Sequence, residues 1–157
     1  MTRFLPAALG VVIMGAAIAA QASESLLVFG PNEHLAAGAF ALQTGDYEEG
    51  VRLTQLGLKT EKSRRDRATG LNNLCAGLVG LRRYGEALAA CDESHALNDN
   101  NWRLYNNRSL AYLGLGKFDR ARIDMNRGLE LNPGSRKLSQ VSRMINQRST
   151  TLLADAN

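Results

Sequence analysis

The residues best suited to chemistry in this sequence are two cysteines, Cys75 and Cys91, two histidines, His34 and His95, and the lysine of "GLGKFD". A thiolate nucleophile needs a base within hydrogen-bonding reach, and no histidine can be assigned as a partner to Cys75 in "NLCAG". A slot for small packing residues explains that cysteine better. Zinc takes four ligands in most structural sites, yet His34 and His95 stand alone, with no second ligand four residues on. His95, near the end of a helical stretch, reads as a packing residue or a partner of the helix dipole. "GLGKFD" lacks the Gly-x-x-x-x-Gly-Lys-Ser/Thr pattern of a phosphate loop and lies between two helical stretches instead of after a strand. These residues predict no catalytic site, no metal site and no cofactor, and the chain is expected not to be an enzyme.

What would position any site starts with the N-terminus. Residues 1–22 read "MTRFLPAALGVVIMGAAIAAQA": Arg3, an apolar run from Phe4 to Ala20, then small residues at Ala20 and Ala22. This is the pattern of a secretory signal with cleavage after Ala22. The alternative is a retained anchor, since the run is 17 residues long and a membrane span needs about 20, with about 17 as the lower limit. Export to the periplasm or outside the cell is the expected localisation, followed by a linker over 23–31.

Loss of Arg3 with the signal takes the net charge from +4 to +3, too mild a balance to argue for nucleic acid. The distribution says more. No acid occurs from Leu131 to Leu153, while Arg136, Lys137, Arg143 and Arg148 all do. The segment is a basic helix: a solvated face, or a contact for an acidic partner or an anionic membrane surface.

The chain repeats. A shift of 34 carries Tyr84 onto Phe118, Ala87 onto Ala121, Cys91 onto Met125, Ser94 onto Gly128 and Leu97 onto Leu131, and upstream Leu78 onto Tyr112 and Cys75 onto Ser109. An earlier copy, "GAFALQTGDYEEGVRLTQLGL", places Tyr47 in the aromatic slot 37 residues before Tyr84. Three extra residues then fall in the polar link "KTEKSRRDR", where an insertion costs little. Apolar residues recur every three or four positions on both sides of a short break, so each copy is a pair of antiparallel helices. Ser109 and Ala121 let the two backbones approach, Phe118 fills the corner where the second helix begins, and Gly116 marks the break. Pro133 stops the last pair. Beyond it, Leu138, Val141, Met144 and Ile145 share one face of a solvating cap helix.

The period of 34 and the pattern "Y..LG...F..A......GLELNP" over 112–133 resemble the tetratricopeptide repeat. The second copy resembles it with Asp99 at the usual proline, and the first with glycine at both usual alanines and Lys62 at the proline. The resemblance covers about 32–153 and implies an all-α, right-handed α-solenoid. It would hold about three helix-turn-helix repeats (32–62, 67–99 and 101–133) and a capping helix over 135–153. It also implies an interaction module. The first helix of each pair would line a concave groove for a peptide or partner helix, and three repeats are close to the fewest that fold alone, so monomer and dimer both remain open.

The expected groove residues are Trp102, Arg103, Asn106, Asn107 and Lys137, with Leu110 and Tyr112 deciding between groove and core. Trp102, the only tryptophan, has repeat-to-repeat packing as its alternative role. Within the resemblance, Asn107 and Lys137 match two positions of a clamp for the C-terminal carboxylate of a chaperone peptide. Asn72, Ala76 and Val141 depart from it where the clamp has lysine, asparagine and a basic residue. Asn107 and Arg108 could instead tie neighbouring repeats together by hydrogen bonds. Cys75 and Cys91, 16 residues apart, are either an export-compatible disulfide or two small buried thiols. The family's packing sets Cys75 opposite Ala87, which would put Cys91 about 6 Å farther along the axis. The partner is an unidentified protein or peptide, and the alternative function is a structural subunit of an envelope assembly, contacting its neighbour through the basic C-terminal helix.

Overall fold

Four helices of this chain begin where a polar side chain satisfies the first free amides. Asn32 accepts from the amides of His34 and Leu35, Asp46 from Glu49, Ser63 from Asp66 and Asn101 from Arg103. Such caps are each worth about 1 kcal/mol. The computed structural model describes residues 32–155, and the predicted signal segment and linker lie outside the described residues.

Seven helices follow among the described residues: α1 (Glu33–Thr44), α2 (Tyr47–Thr60), α3 (Arg64–Gly80), α4 (Tyr84–Leu97), α5 (Trp102–Gly114), α6 (Phe118–Leu131) and α7 (Arg136–Asp155). They form three antiparallel pairs and a final cap helix. Successive first helices also touch one another, α1 on α3, α3 on α5 and α5 on α7, which is the stacking of a solenoid. The three residues that lengthen the spacing between the first two copies do not lengthen the link. They add a turn to the start of α3, which has 17 residues against 13 in α5, because Ser63 offers a cap inside the polar stretch.

The turn inside each pair has one geometry. A positive φ occurs at Gly45 (87°), Arg82 (60°) and Gly116 (70°). The next amide, of Asp46, Arg83 or Lys117, then reaches back to the carbonyl of Ala41, Leu78 or Tyr112 at 2.9 Å. This is the closure that ends helices whose last residue is left-handed. Glycine takes that conformation freely, whereas a residue with a Cβ is strained there by about 1–2 kcal/mol. Arg82→Gly is therefore expected to stabilise the fold by about 0.5–1 kcal/mol, after the extra backbone entropy of glycine is subtracted. Urea denaturation checks it, and an unchanged or lowered midpoint would count against this account.

The same turns set the packing register. Residues eight places before and eight places after Asp46, Arg83 and Lys117 form the pairs Gly38 and Thr54, Cys75 and Cys91, Ser109 and Met125. A Cβ on Gly38 would lie 2.5 Å from the Thr54 hydroxyl and 2.9 Å from its amide nitrogen. In the second pair the Cα atoms of Cys75 and Cys91 are 5.3 Å apart and the sulfurs lie at bonding distance, 2.16 Å. The axial step expected between them is absent, because residues equidistant from the turn of an antiparallel hairpin face each other.

Neighbouring pairs are joined by the aromatic slot. The Tyr47 ring covers Gly80, and the Tyr84 ring covers Gly114, so closely that a Cβ would sit 2.6 Å and 2.4 Å from ring carbons. Each tyrosine thus reaches the first helix of the next repeat. Phe118, the last member of the slot, packs instead against the final core, where Leu113, Ala121, Leu138, Val141 and Ile145 are buried. A second cluster around Val51, Cys75, Leu78, Cys91 and Leu104 holds the earlier repeats.

Candidate concave binding cleft

The first helices α3 and α5 and the cap helix α7 lie side by side, and between them runs a cleft of about 450 Å³. Its walls carry Ala76 and Val79 from α3, Asn106, Asn107 and Leu110 from α5, and Lys137, Gln140, Val141 and Met144 from α7, with Leu42 and Tyr47 at one end. Its size falls within the usual range of about 300–1,000 Å³ for ligand sites.

Three amides cross the floor. The Asn107 side chain donates to Asn72 Oδ1 at 3.1 Å, and Asn106 Nδ2 donates to Asn107 Oδ1 at 3.2 Å. The row ends in an acceptor with nothing to accept: Asn106 is 5% exposed and its Oδ1 has no partner. A buried, unpaired amide oxygen costs about 1–3 kcal/mol. Lys137 is exposed and is the one charged residue of the lining, with no ion pair among the described residues.

The structure brings Asn106, Asn107 and Lys137 of the sequence candidates to this cleft. Trp102 and Arg103 are not among its walls. Trp102 is half-buried against the core under α7, and the Arg103 guanidinium stacks on its ring at 4.6 Å. Leu110 both lines the cleft and packs on that core, and Tyr112 packs on the core. The positions that the clamp resemblance singled out, Ala76, Asn107, Lys137 and Val141, share the cleft, with Asn72 bonded to Asn107 beneath it. Asn107 does tie neighbouring repeats, since its bond to Asn72 links α5 to α3.

Arg108 points the other way. Its Nε and Nη2 donate to the two carboxylate oxygens of Asp124 at 2.8 Å each, and its Nη1 donates to Asp92 at 3.0 Å. The bonds to Asp124 hold the guanidinium proton more tightly than usual. Sequence reasoning proposed a tie at Arg108 but named neither acid. The available signal was the repeat alignment, which puts Asp124 at the place of the apolar Ala90. His95 is a packing residue here: its ring meets Tyr105 edge-on at 5.8 Å, with Nε2 3.3 Å from the hydroxyl. Among the described residues no group of three His, Cys, Asp or Glu side chains could hold a metal ion, and no helix is long and apolar enough to cross a membrane.

Comparison with known proteins agrees with this geometry. Residues 102–135 match the sequence model of the tetratricopeptide repeat. The human protein "Sperm-associated antigen 1" is 31% identical over 75 residues, 45% of this chain and 8% of that protein. The chain thus spans less than a tenth of that relative's length. The first TPR domain of human RPAP3 superimposes with a TM-score of 0.68 at 23% identity, covering 78% of this chain and 96% of that one. The second TPR domain of human RPAP3, solved in complex with the HSP70 peptide SGPTIEEVD, gives 0.64 at 21% identity, covering 74% and 98%. Residues 102–135 are thus a tetratricopeptide repeat by sequence, and the three helix pairs closed by the same turn have the fold of tetratricopeptide-repeat domains.

Proposed function

We propose that the protein is an exported interaction module that holds a segment of a partner protein in the concave cleft. The observation that carries this reading is the make-up of the cleft: an exposed lysine, Lys137, without an acid beside the partly exposed apolar side chains of Val79, Leu110 and Met144. An extended peptide supplies both complements, one carboxylate and an apolar side chain. The HSP70 peptide bound to the RPAP3 domain supports the class of ligand. With one cation in the cleft, the segment preferred here carries a single carboxylate and not an acidic run.

Pull-down from the exported fraction tests it. Asn106→Ala and Lys137→Ala are each expected to weaken capture about tenfold, the equivalent of roughly 1.4 kcal/mol. Retention by both variants would sink the groove. A second reading rests on the exposed Arg136, Lys137 and Arg143 of α7: a structural subunit contacting an acidic neighbour or membrane surface. Loss on Arg136→Glu with Arg143→Glu, and not on Asn106→Ala, would favour it. Export itself is supported by the signal pattern and by a cysteine pair suited to an oxidising compartment. N-terminal sequencing should begin at Ser23.

A further inference from the structure

The two ends of the solenoid are finished differently. At the C-terminal end α7 buries Leu138, Val141 and Ile145 against the last pair and turns Arg136, Ser139, Gln140 and Arg143 to solvent, the polar outer face that a terminal element of a repeat stack needs. At the other end α1 exposes Glu33, Ala36, Ala37, Phe40, Gln43 and Thr44, a stripe at helical spacing whose centre is apolar. Phe40 is 67% exposed. A shift of 37 carries Phe40 onto Gly77 of α3, and a further 34 onto Ala111 of α5; both are buried. Gly77 is covered by the preceding pair, so closely that a Cβ would sit 2.7 Å from Val51 Cγ2 and 2.8 Å from Leu42 Cδ2. The Phe40 stripe is therefore the surface that a preceding repeat would cover, and among the described residues no helix precedes α1.

The chain itself carries an apolar complement next to this stripe. Residues 23–32 read "SESLLVFGPN", with Leu26, Leu27, Val28 and Phe29 consecutive. Their point of attachment is fixed: the Asn32 side chain donates to the Gly57 carbonyl at 3.0 Å and to the Thr60 hydroxyl at 3.2 Å, and its oxygen caps α1. From there Phe40 lies about 12 Å along the helix at 1.5 Å per residue, while the six steps back to Leu26 span up to about 20 Å. Gly30 and Pro31 are residue types that reverse a chain. A tethered segment also meets the stripe at an effective concentration on the order of millimolar, far above that of a second copy in dilute solution.

We propose that Leu26–Phe29 fold back across the Ala37 and Phe40 stripe of α1 and close the N-terminal end of the solenoid in place of a preceding repeat. Leu26 and Leu27 cover the Phe40 ring, as Val51 and Leu42 cover Gly77, and Phe29 lies nearer Ala36 and Ala37. The covered stripe then cannot join a second copy end to end. The proposal rests neither on the concave cleft nor on export, since residues 26–29 follow Ala22 and stay with the chain whether or not the signal is removed.

Nuclear Overhauser contacts in the purified protein test it. The expected result is contacts from the Leu26 and Leu27 methyl groups to the Phe40 ring, independent of protein concentration. Leu26→Ser with Leu27→Ser should remove them and speed amide exchange along α1 about tenfold. Phe40→Ala should speed it as much, and the triple change no further, because both changes remove one shared contact. None of the three residues belongs to the two buried clusters, so the variants keep the fold, which circular dichroism checks. Contacts of residues 26–29 with the concave cleft, no contact with α1, or additive effects on exchange would each overturn the proposal. So would contacts that appear only as the concentration rises, which would assign the stripe to a second copy of the chain.

Discussion

Replacing Asp124 with alanine should lower the unfolding free energy by roughly 3 kcal/mol, the low end of about 3–5 kcal/mol for stripping one partner from a buried ion pair. The Arg108 side chain is 14% exposed and that of Asp124 is 6% exposed, and two parallel bonds of 2.8 Å join them. Arginine cannot escape by losing its proton, so the charge stays and is left with Asp92 alone. That acid is 58% exposed and keeps the cost from the top of the range. Asp92→Ala by itself should cost under about 1 kcal/mol, as exposed pairs do. The double change Arg108→Met with Asp124→Leu should recover most of the loss, since an apolar pair of similar volume needs no desolvation. Urea denaturation of the three variants measures all of this, and a loss below about 1 kcal/mol for Asp124→Ala would show that water already reaches the pair.

How far the sequence discloses such features depends on whether they repeat. Helix pairs, the break at Gly116 and the buried face of Leu138, Val141 and Ile145 are visible because each recurs with a helical period or at a fixed shift. The left-handed turn at Arg82 is hidden for the opposite reason. Its equivalents are Gly45 and Gly116, and only alignment on the turn shows that arginine has been placed where glycine belongs. The Arg108 cluster is a departure from the repeat, with polar residues at positions that are apolar or uncharged one copy earlier, and a periodic reading takes them for a solvated face. Trp102 was legible as important and illegible as to role. Position at the start of an inner helix does not say which way the ring turns, and here it turns to the core under α7. Asn106 and Asn107 were readable as groove residues, whereas the row they form with Asn72 depends on the contact of α3 with α5.

Removing the bridge by Cys75→Ser with Cys91→Ser should cost about 3 kcal/mol, the loop-closure value for a separation of 16 residues. Both cysteines are fully buried in the core between α3 and α4, so the same pair of changes also puts two hydroxyls among apolar neighbours. Comparing the variant with the wild-type chain unfolded in reductant separates the terms, because reduction removes the link and keeps the sulfurs. Alkylation of the protein unfolded in denaturant without reductant should leave its mass unchanged, and two labelled thiols would end the account. The position of the bridge gives its loss a regional signature. It fastens α3 to α4 in the middle repeat, and α3 contributes Ala76 and Val79 to the concave cleft. On reduction, hydrogen exchange should quicken first along α3 and α4, while α6 and α7, held by their own core and by Arg108, keep their protection. Uniform loss across all seven helices would mean that the solenoid opens as one unit and that the bridge sets its overall stability without localising it.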